Sequence, residues 1–125
     1  MIHQLAFIEL TVADWPAAVA WYSELLALKV ELRADRDRFA LLRAGSICVA
    51  LKAGQPQPGT VLLAFEVDDL PDAVERLQAR GVVVEETIQT SHEGYRRAVI
   101  RDLDGYRICL FDWQAAPGTS KPNLE

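Results

Sequence analysis

The sequence predicts an α+β fold built from two tandem βαβββ modules. Three observations carry that prediction: a motif repeated at half the chain length, a helix-start signal at the same place in each copy, and strand-like runs after each helix. The first copy reads "FIELTVADWPAAVAWYSELLALKVE" from Phe7, and the second reads "LLAFEVDDLPDAVERLQARGVVVEE" from Leu62. With Asp14 over Asp69, Val12 falls over Val67, Pro16 over Pro71, Ala18 over Ala73, Val19 over Val74 and Glu31 over Glu86.

Each element has a local reason. Asp14 and Asp69 are able to accept hydrogen bonds from the free N–H groups of a first helical turn. Pro16 and Pro71 then sit where a missing N–H costs little. Val19, Tyr22 and Leu26 follow helical spacing, as do Val74 and Leu77. Trp21 falls outside the first stripe and is expected to be exposed, suited to a partner surface. Gly81 ends the second helix by taking the left-handed conformation. "RFALLRAGSICVALK" reads as two strands around an Ala-Gly turn, and "RRAVIRDLDGYRICLF" as two strands around Asp-Leu-Asp-Gly. The polar stretch Thr87 to Ala98 reads as a hairpin connection, with a lid carrying His92 and Tyr95 as the alternative.

The 125 residues suffice for one domain, residues 1–113, with module 1 at about 1–53 and module 2 at about 60–113. Lys52 to Thr60 is the connector, and 114–125 is expected to be a flexible tail whose last two residues, Leu124 and Glu125, are compatible with a tag remnant. Neither module buries its sheet face alone. Side by side, the two are expected to form a curved eight-stranded sheet around a cup, with the helices outside.

Composition narrows the function. Half the residues are hydrophobic, a quarter are charged and the net charge is −5. The basic residues are scattered among acids, so a nucleic-acid surface is not expected. No apolar run is long enough to cross a bilayer, and the N-terminus lacks the pattern of a secretion leader. A cytoplasmic protein is therefore expected, with Cys48 and Cys109 as reduced core fillers.

The segments "IELTVADWPAAVAWYSELLAL", the second Asp-Leu-Pro helix start and "DLDGYRICLF" resemble the vicinal oxygen chelate superfamily. That superfamily includes glyoxalase I, fosfomycin-resistance enzymes, extradiol dioxygenases and bleomycin-resistance proteins. The resemblance covers residues 2–113, with Leu103 in place of the usual proline of the turn. It implies that in metal-dependent members four strand positions hold a divalent ion through His, Gln or Glu. Those positions fall here on Phe7, Ala50 (with Cys48 close by in register), Leu62 and Cys109. Phe, Ala and Leu offer a metal no lone pair, so no metal and no cofactor are expected. The resemblance also implies a homodimer.

Strand alternation assigns the cup face. Phe7, Glu9 and Thr11 share it, with Cys48 and Ala50, then Leu62, Ala64 and Glu66, then Arg107, Cys109 and Phe111; Phe39, Leu41, Arg97 and Val99 join from the neighbouring strands. The cup is thus mostly apolar with a few polar points, as in small-molecule sites. The favoured reading is a metal-independent protein that binds a small, partly apolar organic molecule in the cup, as bleomycin-resistance proteins hold their drug. One alternative is a lyase or isomerase-like enzyme of the same superfamily, with Glu9 as general base and Arg107 as anion anchor. Another is a ligand-free interaction module. Cys109 as a nucleophile lacks a histidine beside it.

Overall fold

The structure is a computed structural model that describes residues 1–113. The order is β1 (Phe7–Val12), α1 (Trp15–Ala20) running into a π-helical turn (Trp21–Leu25), β2 (Lys29–Ala34), β3 (Phe39–Ala44) and β4 (Ile47–Ala53). Then come β5 (Leu62–Glu66), α2 (Leu70–Ala79), β6 (Val83–Thr90), β7 (Tyr95–Arg101) and β8 (Arg107–Trp113). The expected strand, helix and three strands occur twice. The chain divides into two compact units, Met1–Gly59 and a second beginning at Thr60. Each holds one four-stranded sheet, ordered β1-β4-β3-β2 in the first and β5-β8-β7-β6 in the second. In both, the first strand pairs parallel with the last and the remaining pairs are antiparallel. The expected tail, including Leu124 and Glu125, lies outside the described residues.

In the first unit, Leu10, Val12, Ala40, Leu42, Val49 and Leu51 alternate onto one face and are all buried. Against that face α1 contributes Trp15, Ala18 and Val19. Each large apolar side chain removed from water there contributes about 1.5–3 kcal/mol. The Trp15 indole N–H donates to the Leu51 carbonyl at 3.0 Å, so the ring is buried with its polar end satisfied. Asp14 caps the helix, accepting from the Ala17 N–H at 3.2 Å, and Pro16 occupies the first turn.

The expectation for Trp21 is corrected. Trp21 is buried, and its ring meets Tyr22 edge-on at 5.0 Å. The helical wheel assumed 3.6 residues per turn. From Trp21 the winding widens to i→i+5, which sets successive side chains closer together around the axis. The widened turn closes with the Leu28 N–H on the Tyr22 carbonyl, past Ala27 in the left-handed region (φ 56°).

In the second unit, Asp69 caps α2 by accepting from the Asp72 N–H at 3.1 Å, and Leu70, Val74 and Leu77 form the buried stripe. Gly81, at φ 85°, ends the helix, while the N–H groups of Gly81 and Val82 take the Gln78 and Leu77 carbonyls. Strand β8 holds the helix start from the other side. The buried Asp112 accepts the Leu70 N–H at 2.8 Å and both arms of the Arg96 guanidinium at 2.8 and 2.5 Å. The Asp102 carboxylate organises the turn before β8, accepting from the N–H groups of Asp104 and Tyr106.

The lid alternative does not hold. Strand β6 continues to Thr90 and β7 begins at Tyr95, leaving only a tight turn at residues 91–94. Its closure is made by the Ser91 N–H on the Tyr95 carbonyl and by Gly94 at φ 94°. No helix among the described residues is long and apolar enough to cross a membrane.

Candidate functional site

Each sheet has a face opposite its buried one, here called the open face. In the first unit, strand register places its side chains in three rows: Phe7–Cys48–Arg43, Glu9–Ala50–Leu41 and Thr11–Lys52–Phe39. Phe7, Glu9, Cys48, Ala50, Phe39 and Leu41 thus lie where alternation placed them. Ala50 is fully buried at the centre of these rows. Phe7 and Phe39 stand at opposite corners and their rings meet edge-on, 6.2 Å apart. Glu9 is exposed, and among the described residues its carboxylate has no hydrogen bond or ion pair.

The second unit repeats the arrangement with different chemistry. Its rows are Leu62–Arg107–Arg101, Ala64–Cys109–Val99 and Glu66–Phe111–Arg97, followed by the pair Trp113–Tyr95. Arg107 is not free on this face. Its Nε donates to Glu85 at 2.6 Å and its Nη2 to Glu86 at 2.8 Å. Arg101 also binds Glu85. The hydrogen bond from Arg107 holds the Glu85 carboxyl below the usual carboxylate range, with Arg101 adding to the effect.

Two adjacent glutamates reach one arginine because β6 is irregular. Its register against β7 shifts between Val84 and Glu86, so Glu85 and Glu86 do not point to opposite faces as neighbours in a regular strand would. Sequence reasoning saw Glu86 only as a repeat match and missed Glu85. The acidic pair in a strand facing "YRRAVIR" was the available signal.

Cys109 sits in the middle of this face, 5% exposed. Burial pushes its thiol up, and Glu86 acts in the same direction, against Arg97 and Arg107. It is therefore a protonated thiol at neutral pH and a poor nucleophile. Sequence reasoning also missed an aromatic cluster at the end of the face. Trp113 meets Tyr95 at 5.7 Å and Phe111 at 6.1 Å, both edge-on. Phe111 and Trp113, two apart on one strand, were the legible part of it.

A family model described as the Glyoxalase/Bleomycin resistance protein/Dioxygenase superfamily matches residues 4–110. The chain belongs to this superfamily. Its fold is similar to that of a superfamily member from Sphaerobacter thermophilus, with a TM-score of 0.76 at 20% identity over 89% of this chain and 98% of that one. TioX from Micromonospora sp. ML1 gives 0.74 at 22% identity, over 89% and 99% of the two chains. A lactoylglutathione lyase from Agrobacterium tumefaciens gives 0.72 at 18%, over 87% and 92%. No curated protein matches the chain.

The metal positions implied by the superfamily do not fit a metal in this chain. In the first unit they carry the Phe7 ring and the Ala50 methyl group. In the second they carry the Leu62 side chain and the Cys109 thiol, a single donor where an ion needs several. Among the described residues, no group of three or more His, Cys, Asp and Glu is placed to hold an ion. His3 and His92 are both exposed and fall on none of these positions.

Proposed function

We propose that this superfamily member works without a metal, as a binding protein for a small, partly apolar organic molecule held on the open face of one of its sheets. The observation that carries the reading is the chemistry at the four metal positions, where Phe7, Ala50 and Leu62 have no donor and Cys109 offers a single thiol, too few to hold an ion. What replaces the donors is aromatic: Phe7 with Phe39 in one unit, and Phe111, Trp113 and Tyr95 in the other. Apolar walls with a few placed polar groups are the usual make-up of small-molecule sites. Metal analysis of the purified protein, with thermal-shift screening of a small-molecule library, tests this. Substoichiometric metal and at least one stabilising organic ligand are expected. One equivalent of tightly held Ni, Zn, Fe or Mn overturns the reading.

A second reading, a metal-free lyase or isomerase, is favoured by one observation: the exposed Glu9 carboxylate has no partner among the described residues and is available to take a proton. Its expected anion anchor, Arg107, already gives its Nε to Glu85 and its Nη2 to Glu86, so a substrate anion would compete with two carboxylates there. Turnover that survives Glu9→Gln would rule this reading out. The homodimer is part of the main reading. It is supported by Val30 and Leu32, which stand 37% and 47% exposed on the edge strand β2. Sedimentation at micromolar concentration tests it, and a monomer would refute it.

A further inference from the structure

We infer that the open face of β7 and β8 takes an aromatic carboxylate, with Arg97 as the anion anchor and the Phe111–Trp113–Tyr95 cluster as the wall for its ring. The inference rests on the small-molecule reading and names the ligand class for the second unit's face.

Charge on that face is unevenly spent. Arg97, Arg101 and Arg107 share two carboxylates, those of Glu85 and Glu86. Arg107 takes the near contacts, at 2.6 and 2.8 Å. Arg97 is left with a single ion contact, 3.5 Å from Glu86, and donates no hydrogen bond among the described residues. Its side chain is 36% exposed, so the guanidinium is reachable from solvent while its donors stay unused. An accessible guanidinium fork with unused donors is well suited to bidentate capture of a carboxylate. Glu66 stands in the same row beyond Phe111, with an interaction of its own, and marks the side from which an anion is excluded.

The aromatic wall lies directly alongside. Arg97 pairs with Phe111, and Tyr95 with Trp113 two residues further along the same two strands. That step is about 7 Å along the sheet, which is the reach from the carboxylate to the far ring of a two-ring aromatic acid. The Trp113 indole N–H is buried and has no partner among the described residues. An unsatisfied buried donor is rare and is commonly met by water or a ligand. Tyr95, Phe111 and Trp113 pack edge-on into one aromatic cluster, against which a further aromatic ring would find favourable geometry.

The experiment compares 2-naphthoate with its neutral isostere 2-naphthamide, by NMR titration of the whole chain. The Trp113 indole N–H and the Arg97 Nε–H are the reporters. The naphthoate is expected to bind about tenfold or more tightly than the amide. It should shift both reporters, whereas the amide shifts the indole alone. In Arg97→Gln the two probes should bind alike, with the amide unchanged from wild type. Equal binding by wild type, or a preference for naphthoate that persists in Arg97→Gln, overturns the anchor and leaves the small-molecule reading standing. If neither probe shifts any resonance at millimolar concentration, this inference is overturned, while the broader reading is decided by the library screen. Should Arg97→Gln lose its fold, the wild-type ratio and the Arg97 Nε–H response decide alone.

Discussion

Replacing Asp112 should cost more stability than its single position on a strand suggests. Asp112 is 3% exposed and serves two partners, the Leu70 N–H at the start of α2 and the Arg96 guanidinium. Asp112→Asn keeps an oxygen for Leu70 but removes the charge that Arg96 neutralises. Breaking a fully buried pair costs about 3–5 kcal/mol. Arg96 is 26% exposed and able to turn partly to water, so about 2–3 kcal/mol is expected. Asp112→Ala also leaves the Leu70 N–H without an acceptor, which adds about 1–2 kcal/mol. Urea unfolding followed by circular dichroism reads both values from the shift in midpoint at constant slope. The reasoning fails if Asp112→Asn costs under about 0.5 kcal/mol, or if the alanine variant is no worse than the asparagine one. The pH dependence has a definite sign. The hydrogen bond from Arg96 holds the Asp112 carboxyl below its ordinary value, against burial, with the Leu70 N–H assisting. Its contribution is therefore fully present above the unfolded carboxylate range and is lost as pH falls through the lowered folded value. The wild type should lose more stability between pH 5 and acid than Asp112→Asn does.

Three further outcomes are expected. In Arg107→Ala, the Glu85 carboxyl followed by carbon NMR should titrate closer to the ordinary carboxylate range; no movement would mean that Arg107 is not what lowers it. The Cys109 thiol, raised by burial, should react with a disulfide reagent about tenfold or more slowly in the native protein than in urea, and equal rates would contradict its burial. Gly81→Ala should cost about 1 kcal/mol by thermal or urea unfolding. An added Cβ there meets nothing within 4 Å, so the cost is that of φ 85° alone, and a neutral substitution would refute this account.

The fold was legible because its signals are local. An Asp followed by Pro at a helix start, a Gly at the helix end and apolar alternation in short runs each act within a few residues. Their duplication then supplied the topology. The open-face membership of Phe7, Glu9, Ala50, Ala64, Cys109 and Phe111 was legible for the same reason, since side chains alternate along any regular strand. The departures came where regularity fails. Trp21 turned inward because the helix widens at that residue, and periodicity computed at 3.6 residues per turn has no means of showing it. Thr87 to Ala98 looked like a long polar loop because β6 is an edge strand, on which polar side chains face water without breaking the ladder.

The sequence by itself determined the two βαβββ units, their caps and turns, and the absence of metal-ligand side chains from three of the four positions that the superfamily implies, since these depend on residue identity and local periodicity. Only the tertiary structure decided which charges are spent. A register shift in β6 turns Glu85 and Glu86 onto Arg107 and leaves Arg97 with one long contact beside Phe111. Ion pairing is decided by ångström distances across strands distant in sequence, and a one-residue irregularity is enough to reassign every partner.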